Sequence, residues 1–115
     1  MKLQQAGDIF ASTVSYLMNA TSGTKLFIEK EDYILFKPRS FRTALSKFIE
    51  GSNKHNKLIE EYLNVYKILG FIATDKDRTR FTKTQKIDNK TIKVIAVNRK
   101  AYELLVDIQK EEKEG

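Results

Sequence analysis

Lysine and arginine carry the most concentrated chemistry in this chain. Between Lys76 and Lys100 lie nine of its 21 basic residues against two acids, Asp77 and Asp88, a local charge of +7. The remaining 90 residues hold 12 basic and 13 acidic side chains and sum to −1. Concentrating charge this way costs a compact domain self-repulsion, and a polyanion such as nucleic acid is the partner that offsets it. Arg80, Thr82, Thr84 and Lys86 fall on one face of an extended run, and Phe81, Lys83, Gln85 and Ile87 on the other. Phe81 and Ile87 are expected to turn toward the core. That would leave the first set exposed, joined across a turn by Lys90 and Lys93, with Arg78 in the same cluster. Each such cation that neutralises a phosphate releases counterions and adds affinity without reading sequence. A merely solvated surface and an acidic protein partner are the competing readings of the same patch.

Rings interleave with these cations. Phe81 lies between Arg80 and Lys83, and Tyr33 and Phe36 precede Pro38 and Arg39, with Arg42 following. Single-stranded nucleic acid uses such interleaving for base stacking and backbone contact. A chain with no tryptophan and 12 Phe plus Tyr needs most of its rings for packing, so Phe81 alone is kept as a candidate for stacking. Arg39 and Arg42 are kept as candidate phosphate ligands.

Enzyme chemistry finds little footing. The five glycines, at 7, 23, 51, 70 and 115, are scattered, and none precedes a Lys-Ser/Thr pair, so there is no phosphate-binding loop. The single histidine, His55, has Lys54, Asn56 and Lys57 as neighbours, which neither orient nor activate it. Asp75 and Asp77 have the spacing of a magnesium-holding pair but are flanked by Lys76 and Arg78, as in a solvated turn. With no cysteine, disulfides and thiolate metal sites are excluded. No catalytic residue, metal site or cofactor is expected. The stretch Ile9 to Met18, broken by Ser12, Thr13 and Ser15, is too short for a membrane span and lacks the pattern of a leader, so a cytoplasmic location is expected.

The elements that must position these residues follow from periodicity and turn chemistry. At 115 residues, 41% hydrophobic and 31% charged, the chain fits one α+β domain over 1–115, with 1–7 and 111–115 frayed. Apolar positions at helical spacing predict a first helix over 8–19. Two short strands flanking a charged turn are predicted between Lys25 and Lys37. Pro38 ends the second strand, and a helix capped by Ser40 should follow with Phe41, Leu45, Phe48 and Ile49 buried. Gly51, Ser52 and Asn53 supply a turn. A third helix then buries Leu58 or Ile59, Tyr62, Leu63, Tyr66 and Leu69 before Gly70 stops it. After a strand-like Phe71 to Thr74, the runs Arg80–Ile87 and Thr91–Val97 form a hairpin on Asp88 and Asn89, which tolerate positive φ. Asn98 caps a last helix with Tyr102, Leu104, Leu105 and Ile108 on its buried side.

Helix, strands, helix, turn, helix, basic hairpin and closing helix together resemble the winged helix-turn-helix superfamily. The resemblance is carried by Phe41 to Ile49, Gly51-Ser52-Asn53, Leu58 to Leu63, Leu69-Gly70-Phe71-Ile72 and Val94 to Leu105, and covers roughly residues 8–109. "ILGFI" before the hairpin and "VIAVNRKAYELL" after it look like the same places in MarR-like and PadR-like proteins. The resemblance implies three helices with a short strand pair, a basic β-hairpin wing and a C-terminal helix. It also implies that the third helix would enter the major groove, presenting Lys54, Asn56 and Lys57, while the hairpin flanks the backbone. Glu60 and Glu61, one turn on, would repel a backbone they faced. In MarR-like and PadR-like proteins the closing helix, here 99–110, pairs two chains. Two functions are therefore expected: a small DNA-binding transcriptional regulator, or a non-catalytic accessory subunit of a replication complex on a mobile element. The accessory would bind single-stranded DNA and a polymerase, primase or helicase.

Overall fold

The computed structural model describes residues 3–19, 27–49, 55–75 and 81–114, with backbone only at 27, 55–57 and 112–114. Element order is α1 (Leu3–Met18), β1 (Phe27–Glu29), β2 (Tyr33–Phe36), α2 (Pro38–Phe48), α3 (His55–Leu69), β3 (Ile72–Ala73), β4 (Lys83–Ile87), β5 (Lys90–Asn98) and α4 (Arg99–Glu114). The strands form one antiparallel sheet in the order β1-β2-β5-β3, with β4 also paired to β5. The domain is thus α+β, with four helices and a small sheet among the described residues.

The first helix begins earlier than its periodicity suggests. Ala6 and Gly7 are buried and extend the stripe of Phe10, Val14 and Leu17 one turn upstream. Small residues carry little hydrophobic signal, so this turn is hidden in the sequence. Residues 3–7 lie within α1 and 111–114 within α4. Thr13, fully buried, is satisfied because its hydroxyl donates to the Ile9 carbonyl at 2.7 Å.

Helix α2 starts at Pro38 itself. Lys37 is the extended N-cap (φ −64°, ψ 133°) without a side-chain cap, and Pro38 takes the first helical position, where its missing N–H costs no hydrogen bond. The expected cap Ser40 instead sits inside the first turn. Phe41, Ala44 and Leu45 face the core, and Ile49 is buried at the C-cap. Gly51, Ser52 and Asn53 lie outside the described residues.

Helix α3 buries Ile59, Tyr62, Leu63 and Tyr66, whereas Leu69 is 41% exposed. Gly70, at φ 77°, reverses the chain. The Gly70 N–H donates to the Lys67 carbonyl at 3.2 Å and the Phe71 N–H to the Tyr66 carbonyl at 2.8 Å, the two bonds of a Schellman motif. The reversal carries Phe71 onto Tyr66, with ring centroids 6.1 Å apart, so Phe71 occupies the slot expected for Leu69.

The core lies between the helices and one face of the sheet, centred on Phe10, which meets Tyr66 edge-on at 4.8 Å and Phe71 at 5.1 Å. The Tyr66 hydroxyl donates to the Ala6 carbonyl at 3.0 Å. Burial, with Tyr62 adding to it, holds that phenol well above its ordinary pKa. On the other sheet face Leu35, Val94 and Ala96 form a smaller buried cluster with Tyr33, Ala73 and Ile87.

Helix α4 runs antiparallel to α1. Ser15 and Tyr102 hydroxyls lie 2.7 Å apart, and the Gln109 amide donates to Asp8 at 3.4 Å. Gly7 lets α4 approach, because a Cβ there would sit 3.1 Å from Leu105 Cδ2. Tyr102, Leu105, Val106 and Gln109 are half-buried, while Leu104 (61%) and Ile108 (42%) are exposed, contrary to the sequence expectation. The run is apolar around more than half its circumference, and packing against α1 and the core selects the buried side.

Candidate nucleic-acid interface

β4 and β5 form a two-stranded ribbon closed by Asp88 (φ 50°) and Asn89 (φ 66°), both in the left-handed region that a two-residue hairpin turn requires. Its base is held by Asp75. The Asp75 carboxylate accepts from the Thr84 backbone N–H at 3.0 Å and the Thr84 hydroxyl at 2.6 Å, and the Asp75 N–H donates to the Thr82 carbonyl at 3.3 Å. Asp75 therefore serves as a clasp that sets where the ribbon starts; Asp77 lies outside the described residues. Among the described residues no group of three or more His, Cys, Asp or Glu side chains could hold a metal ion.

Register assigns the ribbon's faces. Thr84 pairs with Lys93 and Lys86 with Thr91, and residues directly opposite share a face. One side is thus a checkerboard of Thr84, Lys86, Thr91 and Lys93, all exposed. Each lysine stands opposite a threonine, which avoids the repulsion of like charges directly across the ladder. This is the parity of Ile95 and Val97, so the checkerboard continues the helix-covered side of the sheet. Lys83 pairs with Val94 and Ile87 with Lys90, placing both lysines on the opposite face. This corrects the expectation that Lys90 joins the Thr84–Lys86 face. Lys83 is half-buried, its ammonium 4.9 Å from the centroid of the Tyr33 ring.

The other candidates separate clearly. Phe36 pairs with Ile95, the last pair between β2 and β5, and α2 begins two residues later. Arg39 in that first turn is exposed and Arg42 half-buried; neither has an ion pair among the described residues. Arg99 is occupied in structure, donating to Glu103 at 3.1 Å and to the Lys30 carbonyl at 3.0 Å. Lys54, Arg78 and Arg80 lie outside the described residues, and Asn56 and Lys57 are described in backbone alone, within the first turn of α3. Glu60 and Glu61 on α3 are exposed.

The rings are placed differently from the sequence reading. Phe81 is half-buried against the main core, Phe36 is 1% exposed and Tyr33 lies under Lys83, so none of the three is a free stacking platform. The exposed ring among the described residues is Tyr16 on α1, at 43%. Its hydroxyl accepts from the Lys47 ammonium at 2.7 Å. These two residues are 31 positions apart, and nothing local in the sequence links them.

No protein-family model and no curated protein matches this chain. Among the described residues, no helix is long and apolar enough to cross a membrane.

Proposed function

We propose that this protein is a winged-helix nucleic-acid-binding protein, a small DNA-binding regulator whose wing is the β4–β5 ribbon. The observation that carries the reading is the checkerboard of Lys86 and Lys93 with Thr84 and Thr91. Lys86, Lys93 and the Thr91 hydroxyl project there without an ion pair or hydrogen bond among the described residues, while the Thr84 hydroxyl on the same face donates to the Asp75 carboxylate at the ribbon's base. Such a surface suits phosphate oxygens, which accept from both group types, and supplies affinity rather than base discrimination. Helix α3 would supply sequence reading through its first turn, as the resemblance implies.

Two copies would pair through residues 99–110. Lys100, Leu104, Ile108 and Glu111 are exposed along one stripe of α4. In an antiparallel pairing about the midpoint of Leu104 and Ile108, Lys100 of one copy comes level with Glu111 of the other, within one residue's rise. Exposed Glu60 and Glu61 favour a second reading, in which α3 does not enter a groove deeply and the protein serves as accessory to a polymerase, primase or helicase, binding single-stranded DNA.

A titration of fluorescent duplex at several salt concentrations tests the first reading. Expected is tight binding whose log affinity falls linearly with log salt. Absence of duplex binding at low salt overturns the reading. Light scattering on the same protein should give a dimer, and a monomer that co-purifies with a large nucleic-acid enzyme would favour the accessory role.

A further inference from the structure

Between the end of α1 and the outer face of α2 runs a groove of about 310 Å³ lined by Tyr16, Leu17, Arg39, Ser40, Thr43, Ala44 and Lys47. Its floor is apolar, with Leu17 and Ala44 almost wholly buried. Its rim is cationic and hydroxylic, and among the described residues no acid lines it. Arg39, Thr43 and Lys47 succeed one another every four residues, so they form a row slanting gently around the helix with an axial rise of about 6 Å per step. This step is comparable with that between successive phosphates of an extended strand. The Arg39 guanidinium and the hydroxyls of Ser40 and Thr43 have no hydrogen-bond partner among the described residues. Tyr16 forms the far wall, its ring 4.6 Å from the Lys47 ammonium and edge-on to Phe48 at 6.0 Å.

We propose that this groove holds a short stretch of single-stranded nucleic acid, with Arg39, Thr43 and Lys47 along its phosphates and a base against Tyr16. The inference rests on the reading of the protein as a nucleic-acid binder and assigns it a second, strand-specific contact. A cationic groove beside an exposed ring is the arrangement by which single strands are held without sequence preference. A groove of about 310 Å³ has room for part of one strand and not for the width of a duplex. A phosphate reaching Lys47 offers its ammonium a charged acceptor in place of the Tyr16 hydroxyl, which frees the ring for stacking.

Anisotropy titrations with a labelled oligothymidylate of about 12 nucleotides, and with a hairpin duplex, test the groove. The double variant Arg39→Gln/Lys47→Gln should reduce the single-strand salt slope by about 1.4, two contacts at roughly 0.7 each. Its duplex binding should change far less. Tyr16→Leu should weaken oligothymidylate binding at least about fivefold, while Tyr16→Phe keeps the ring and should bind nearly as the wild type does. Wild-type affinity for oligothymidylate in both groove variants, alongside loss of duplex binding in Lys86→Ala/Lys93→Ala, overturns the groove and leaves the ribbon reading standing. Equal loss of strand and duplex in the groove variants overturns the strand specificity. A wild-type protein that binds neither probe overturns both.

Discussion

The two halves of β5 are one continuous strand with opposite environments. Lys90 to Lys93 are exposed at every position, and Val94 to Val97 are buried at every position. The buried half is flanked by β2 and β3 and covered on both faces, by the main core and by the smaller cluster under Tyr33. The exposed half is paired with β4 in the ribbon. A strand buried on both faces loses polar alternation, and VIAV reads as a continuous apolar run for that reason. The exposed half is freed from packing demands, so its side chains can be chosen for charge. Stability and binding therefore occupy adjacent stretches of the same backbone and should respond separately to mutation.

The largest effect that would test this division is Ile95→Ala, which empties a fully buried site between β2 and the helices. It should cost about 2–5 kcal/mol in urea unfolding while leaving the denaturant slope unchanged. A much smaller loss would mean that the buried half is not the keystone of the sheet. Next, Lys86→Ala with Lys93→Ala should lower the duplex salt slope by about 1.8, two contacts at roughly 0.9 each. An unchanged slope would detach the checkerboard from phosphate binding.

Tyr66→Phe sharpens the stability side. Losing the bond to the Ala6 carbonyl should cost about 1 kcal/mol at neutral pH. That contribution fades in alkali. The Tyr66 phenol is held above its ordinary pKa in the folded state, so the unfolded chain ionises it first, near pH 10. The contribution to stability is whole below about pH 10 and is lost as pH rises beyond it. Thermal melts from pH 7 to 11 should therefore show the gap between wild type and Tyr66→Phe closing. A constant gap would indicate that the phenol ionises freely in the folded protein. Smallest of all, Lys93→Ala alone should shift the unfolding free energy by no more than about 0.5 kcal/mol. A larger shift would show that the exposed half also supports the fold.

Features set by local chemistry were legible in the sequence. Asp88-Asn89 specified the turn, Gly70 the end of α3 and Asn98 the cap of α4, because each depends on a residue's own φ or side-chain reach. The ribbon's register follows from the same turn, which sets Ile87 opposite Lys90 and Thr84 opposite Lys93, and the expectation that Lys90 shares the Thr84 face did not carry the turn through. Alternation along β4 alone did not place Lys90 on its proper face. What stayed hidden was decided by distant partners. Leu69 yields its slot to Phe71 because of the reversal at Gly70, and Leu104 and Ile108 turn outward because Gly7 admits Leu105. Tyr16 meets Lys47 only through the packing of α1 on α2. The three rings singled out beside cations all serve packing, since in a small domain core demand on aromatic side chains outweighs their availability at the surface.

Asn98 ends β5 and begins α4, and it uses its polar atoms to join three elements. Its N–H donates to the Phe71 carbonyl at 2.7 Å, its amide nitrogen to the Gly70 carbonyl at 3.2 Å, and its amide oxygen accepts from the Ala101 N–H at 3.2 Å. Aspartate keeps the acceptor but loses the donor, serine is too short for the Gly70 carbonyl, and glutamine displaces both groups by a methylene. In a library sampling all residues at every position, Asn98 should behave like a core site although it is only half-buried. The neighbouring lysines of the ribbon should tolerate nearly any substitution in a selection for folding alone.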